Sequence, residues 1–280
     1  MALREATGFG MTDAKKMNHA PFVTLHSEGN IGIITLRRAQ HRNALTTAMI
    51  EQLITAAMTA SDDEKITAVV IEAQGDNFSV GADLNEIKAE KEQRSLLRAR
   101  RDAEQGGRLM RSLRDIHQPT VCAVQGIATG GGTCIAAACD FRIATANAKI
   151  GVGEVRMAMN LMWQAMPYYV DLLGTARAKQ LIMSGQLFPA ETLCQWGFID
   201  EISPPGEASA AARSWAQTYA DLPPVAMQMI KRSINRYAQA LGESIMHMDH
   251  DQWLLTAQSE DFQESLEAFK AKRPPKLTGR

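Results

Sequence analysis

The stretch Val124-Gln125-Gly126-Ile127-Ala128-Thr129-Gly130-Gly131-Gly132-Thr133 follows a short apolar run at residues 120–124 and leads into a small-residue segment ending at Cys139. Three consecutive glycines at a helix start leave amide N–H groups uncovered at the positive end of the helix dipole, an arrangement suited to an anion. No Gly-Lys-Ser/Thr follows, which excludes a phosphate loop of the Walker type. The dinucleotide fingerprint fits poorly, because no matching strand and acidic residue lie at the expected distance. Taken alone, the stretch is equally compatible with a glycine-rich helix packed closely on a sheet.

Upstream, residues 23–26 and 31–36 flank Ser27-Glu28-Gly29-Asn30 and read as a β-hairpin. Ala44, Leu45, Ala48, Met49, Leu53, Ala57 and Met58 then recur at helical spacing through a segment ending near Asp62. The run at residues 68–73, bounded by Gly75, predicts a buried strand. This strand–strand–helix–strand order argues for layered α/β architecture. Residues 86–115 are charged and helix-forming, interrupted by Gly106-Gly107, and residues 141–144 and 149–152 read as further short strands. From Met162 onward helical patterns dominate, with a break at the Pro204-Pro205-Gly206 turn. The expected organisation is therefore a flexible arm over 1–20, a core over 21–203 and a helical region over 204–280.

Composition narrows the partners. The 280 residues are 45% hydrophobic and 22% charged, ordinary for a chain that buries a sizeable core. A net charge of −1 and a pI near 6.6 provide no global basic field, so a nucleic-acid partner is not expected and an anionic ligand has to be held by local charges. Arg94, Arg98 and Arg101 alternate with Glu90, Glu92 and Asp102, the pattern of a salt-bridged surface helix. Cys122, Cys134, Cys139 and Cys194 form no CxxC pair and predict reduced thiols in a cytoplasmic protein. No apolar run is long enough to span a membrane, and the first twenty residues lack a signal peptide's apolar core. The six histidines form no metal-site spacing, and His247 and His250 are expected on a solvated helical face.

A second glycine-containing turn, Asn77-Phe78-Ser79-Val80-Gly81-Ala82-Asp83-Leu84, follows the strand ending at Ala73. Paired with Ala128-Thr129-Gly130-Gly131-Gly132, it resembles the two oxyanion turns of the crotonase (enoyl-CoA hydratase/isomerase) superfamily. Further resemblances are Arg38-Ala39-Gln40-His41-Arg42-Asn43-Ala44-Leu45, Cys139-Asp140 and Phe269-Lys270-Ala271-Lys272-Arg273, in family order over residues 22–273. The resemblance implies a spiral of ββα units with a C-terminal helical trimerisation region, assembled as a homotrimer or homohexamer. It implies an acyl-CoA thioester substrate, with coenzyme A as part of that substrate and no separate cofactor or metal. The backbone amides of Ala82 and Gly131 would donate to the thioester carbonyl oxygen, where addition or deprotonation builds negative charge. Val80, Ala82, Asp83 and Leu84 would bind the coenzyme A adenine side, with Arg42 and, from a neighbouring subunit, Lys272 meeting its phosphates.

Hydratases of this family place one glutamate two residues beyond the glycine triplet and another twenty residues later. Here the first position holds Cys134 and the second Glu154. A thiol of ordinary pKa is a poor substitute acid or base, so Cys134 is expected to pack and Glu154 to act as the base. The family's Gly-Ile-x-Pro-x-x-Gly-Gly segment is replaced by Met157-Ala158-Met159-Asn160-Leu161-Met162-Trp163. Cys134, Leu161, Met162 and Trp163 are therefore expected in the acyl pocket. The implied activity is hydration of a 2-enoyl-CoA by a single glutamate. The alternatives are a double-bond isomerase, an aromatic hydratase-lyase and, in another class, a non-catalytic acyl-CoA-binding protein.

Overall fold

The three apolar runs of the sequence lie side by side at the centre of the fold, in a computed structural model that describes residues 21–86 and 95–280. The arm expected over 1–20 lies outside the described residues, as do Glu90, Glu92 and Arg94. Strands β1 (Val23–Glu28) and β2 (Ile31–Leu36) form the expected hairpin, and β2 pairs in parallel with β3 (Ala68–Ala73). The sheet continues in parallel through β4 (Thr120–Val124), β6 (Phe141–Thr145) and β9 (Glu201–Ser203).

Period-two alternation explains why these runs are apolar throughout. Ile34, Leu36, Val69, Ile71, Cys122 and Val124 face the larger core cluster, while Ile31, Ile33, Val70, Val121 and Ala123 face the smaller one. On the larger side pack α1 (Thr47–Asp62) and α2 (Leu96–Arg114). Thr46 caps α1, its hydroxyl accepting the Met49 N–H at 3.2 Å. On the other side α6 (Ala208–Ala220) lays Ala208, Ala212, Ala216 and Ala220 on the sheet, a four-residue alanine ridge that permits close approach. The first helix beyond the Pro204 turn thus covers the sheet.

A smaller sheet positions the functional turns. It runs β5 (Ile127–Thr129), β7 (Lys149–Gly151), β8 (Leu187–Pro189), parallel then antiparallel. After β5 comes α3 (Gly131–Ala138), whose residues are all buried. Then follow α4 (Met166–Met183), bent at Gly174, and α5 (Ala190–Trp196). The chain finishes in α7 (Pro224–Ala238), α8 (Gly242–Ile245), α9 (Asp249–Ala257) and α10 (Glu260–Lys270). Buried Lys231 anchors α7, its ammonium 2.6 Å from Asp140 and donating to the Gln118 carbonyl at 2.8 Å. Asp140 also accepts the Thr120 N–H at the start of β4, which explains the Cys139-Asp140 motif as a structural joint.

Candidate active site

Three loops far apart in sequence are joined edge to edge by backbone hydrogen bonds. Thr129 N–H donates to Ser79 C=O at 3.0 Å and Ser79 N–H to Ile127 C=O at 3.2 Å. On the other side, Leu45 N–H donates to Gly81 C=O at 2.8 Å and Asp83 N–H to Leu45 C=O at 2.9 Å. Buried Asn43 stitches the set together: its side-chain amide donates to the carbonyls of Gln74 and Asn77, each at 2.9 Å, and its oxygen accepts the Arg38 N–H at 2.8 Å. The Ser79 hydroxyl donates to Asn43 C=O at 2.7 Å and accepts the Gly81 N–H at 3.2 Å.

This ladder uses the amides of Ser79, Gly81, Asp83 and Thr129 and passes over those of Ala82 and Gly131. Among the described residues, no acceptor is recorded for the N–H of Ala82 or of Gly131. Gly131 opens α3, so its amide belongs to the first turn that a helix cannot satisfy internally. The two turns touch: a Cβ on Gly81, at φ +83°, would lie 3.3 Å from the Gly131 nitrogen and 2.9 Å from the Thr129 carbonyl. Glycine at 81 is therefore a requirement of the close approach.

Glu154 reaches the same point through the small sheet. Thr129 pairs with Gly151, and the Thr133 hydroxyl donates to Gly151 C=O at 2.7 Å, so the turns that follow β5 and β7 run together. A Cβ on Gly130 would fall 2.8 Å from Glu154 Oε1. The other oxygen, Oε2, is sealed from solvent and has no hydrogen-bond partner among the described residues. Burial pushes the carboxyl up from 4.5 to about 7, partly offset by the backbone N–H groups of Glu154 and Gly153.

Cys134 is buried one helical turn along α3, with the Tyr169 hydroxyl 3.5 Å from its sulfur. Burial, then the neighbouring Glu154 charge, hold the thiol well above its usual range. It is a buried thiol, kept in its neutral form.

These groups line a cavity of about 1080 Å³. Ala82, Gly131, Glu154, Cys134, Met162 and Trp163 all face it, as do Val80, Asp83 and Leu84. Leu161 does not line it and is buried in the core. Arg42 and Lys272 are exposed and do not line it either; among the described residues, Arg156 and Arg273 are the cations on its wall. Asp83 is held by Arg38 at 2.8 Å. Burial raises its carboxyl, but the Arg38 hydrogen bond and charge, with backbone donors, bring it below the usual range. Its role in the geometry is to fix the turn.

The C-terminal helices supply much of the remaining wall, through Trp253, Leu254, Phe262 and Phe269 of the same chain. Sequence reasoning assigned that region to subunit contacts; an apolar stripe on a terminal helix reads identically for either use. His250 also departs from expectation, being buried between Asp249 and Asp251, whereas His247 is exposed. Among the described residues no group of three metal-ligating side chains occurs, and no helix is long and apolar enough to cross a membrane.

A mixed α/β fold with two glycine turns beside a half-buried glutamate fits the crotonase-like class. Residues 26–280 match the family model described as Enoyl-CoA hydratase/isomerase, and the chain belongs to that family. It is 28% identical over 252 residues to a short-chain-enoyl-CoA hydratase of Clostridium acetobutylicum, covering 90% of this chain and 95% of the relative. It is 29% identical over 248 residues to a 2,3-dehydroadipyl-CoA hydratase of Escherichia coli, covering 89% and 95%. Among solved structures, an enoyl-CoA hydratase from Mycobacterium avium subsp. paratuberculosis superposes with a TM-score of 0.82 at 24% identity, covering 92% of this chain and 98% of that one.

Proposed function

We propose that this protein hydrates a 2-enoyl-CoA thioester, with Glu154 as its single acid–base residue and the amides of Ala82 and Gly131 as the oxyanion donors. The observation that carries the reading is the half-buried Glu154, its Oε2 sealed from solvent and unpartnered, beside the Ala82 and Gly131 amides, which have no acceptor. Glu154 takes a proton from water as the water oxygen bonds to C3. The electron pair of the double bond moves toward the thioester oxygen, where the two amides hold the developing charge. Glu154 then returns the proton to C2. A carboxyl titrating at about 7 is matched to both halves of this exchange at neutral pH. The scheme requires neither metal nor redox cofactor.

Double-bond isomerisation is the second reading, favoured by Cys134 standing where hydratases of the family carry their other glutamate. Moving one proton between two carbons requires only one carboxylate. Purified protein supplied separately with crotonyl-CoA and a 3-enoyl-CoA decides between them by the conjugated thioester absorbance. Loss of absorbance with crotonyl-CoA supports hydration; a gain with the 3-enoyl substrate alone assigns the isomerase. A protein that binds both thioesters and turns over neither is a non-catalytic binder.

A homotrimer or homohexamer is the proposed assembly. Ile230, Ile234, Tyr237 and Leu241 form an exposed apolar stripe along and beyond α7, with Tyr237 88% and Leu241 81% accessible. Light scattering on the eluting peak gives three or six chain masses if a second copy covers this stripe, and one chain mass if not.

A further inference from the structure

Two consecutive residues beside the site hold backbone conformations that side chains rarely adopt. Trp163 has φ +72° and Gln164 φ +57°. Such a pair persists only where its surroundings fix it. The Trp163 indole is 8% exposed and wedged between two glycines. A Cβ on Gly106 of α2 would sit 1.8 Å from indole Cδ1, and one on Gly131 would sit 2.5 Å from Cη2. The benzo edge of the ring therefore stands against the residue whose amide is the proposed oxyanion donor, on the wall of the cavity. An acyl chain leaving a carbonyl held at that amide would start out beside the indole.

One face of α9 grips this loop at four points. The Asp249 carboxylate accepts the Gln164 N–H, and the Gln252 side-chain oxygen Oε1 accepts from the Asn160 side-chain amide at 3.0 Å. The Trp253 indole N–H donates to Met159 Sδ at 3.3 Å, and the Thr256 hydroxyl accepts the Asn160 N–H at 3.2 Å. Positions 249, 252, 253 and 256 share one side of a helix. Asp249 is 4% exposed, so its bond is shielded from water. Arg111 of α2 completes the clamp by donating to Gln164 Oε1.

We infer that α9 sets the acyl-chain selectivity of the site, with Trp163 as the wall that limits the chain and Asp249 as the positioning residue that holds Trp163 in place. The inference rests on the enoyl-CoA reading above. Selectivity would then be written in a C-terminal helix whose polar stripe makes no claim on the reacting atoms.

The test compares 2-enoyl-CoA substrates of four to ten acyl carbons in wild type, W163F, D249A and the double variant. W163F is expected to raise kcat/KM for the ten-carbon substrate relative to crotonyl-CoA by about tenfold or more, the scale at which an apolar pocket discriminates methylenes. D249A is expected to move the same ratio in the same direction, and the double variant to move it no further than W163F alone, because both changes act through one indole. A uniform loss across all chain lengths in D249A would mark Asp249 as merely structural and overturn the inference. The clamp has a readout that needs no turnover. In 5-fluorotryptophan-labelled protein, the fluorine resonance that disappears in W163F identifies Trp163. Its displacement in D249A supports the clamp; an unmoved resonance overturns it. Wild type that turns over no enoyl-CoA overturns the activity reading and the selectivity with it, while the fluorine signal still decides the clamp.

Discussion

Replacing Glu154 by Gln should make the protein a worse enzyme and a more stable one, and the two effects should separate by pH. The native carboxyl titrates at about 7 and the unfolded one near 4.5, a displacement caused chiefly by burial. Below pH 4.5 both states are protonated and Glu154 costs nothing. Between 4.5 and 7 the unfolded state gives up its proton first, so native stability falls as pH rises. Above 7 the full difference of about 3 kcal/mol weighs against the fold. A glutamine has no charge to bury but leaves its amide short of partners, which costs about 1–3 kcal/mol, as does the unpartnered Oε2 it replaces. E154Q should therefore melt higher than wild type at pH 8, by several degrees at roughly 2–4 °C per kcal/mol for a chain of this size. At pH 4.5 the two should melt together. Turnover of crotonyl-CoA should fall by about 10²–10⁴. Calorimetry at the two pH values, with activity on the same samples, checks both halves. A variant that melts lower at pH 8, or a difference that does not change with pH, would refute the burial argument.

Wild-type kcat/KM should rise with pH to a plateau with its midpoint near 7, because the free enzyme must hold Glu154 as the carboxylate; a midpoint near 4.5 in stopped-flow rates would show an exposed carboxyl. Gly130→Ala should cost about 1–3 kcal/mol, since residue 130 sits at φ +54° and ψ −123° and its Cβ would crowd Glu154, and turnover should fall with it. Arg38→Ala should cost about 3–5 kcal/mol in urea melts by stranding buried Asp83, with partial recovery in the double variant R38A/D83N. Cys134 should resist alkylation by iodoacetamide at pH 8.5 in the native protein and react in urea, because burial keeps its thiol protonated.

The central sheet could be read from the chain because each of its core strands is a near-continuous apolar run buried on both faces, and the hairpin turn announces itself by Gly29-Asn30. The strands β5, β8 and β9 could not. Each is three residues long, too short to display a period, and Pro189 ends β8 in a form that reads as a loop. Gly106-Gly107 was read as an interruption of helix α2, yet the helix runs through both. Gly106 is there for a neighbour, Trp163, and Gly107 lies against Gln164, both far away in sequence. Glu154 and the two glycine turns could be picked out by their resemblance to a family pattern, and the fold brings them to one cavity. The cations on the cavity wall were not, since Arg42, Arg156, Lys272 and Arg273 differ only in where the fold directs them. Asn43 sits in the same category: its motif is visible in the sequence, but its task of bonding two distant carbonyls is a property of the assembled loops.

The edge-to-edge ladder of the 45, 79–83 and 127–129 segments has a consequence for how the molecule is made. None of its bonds can form until the strands that carry these loops have been brought together across long stretches of chain, and such closures come late and slowly. A partly collapsed chain would hold most of its helices and none of the proposed oxyanion geometry. Recovery of thioester binding during refolding should therefore trail recovery of helical signal. Because the ligand can engage only the finished native state, a saturating thioester should hold the chain there by mass action, and would act as the last step of folding as much as the first step of turnover.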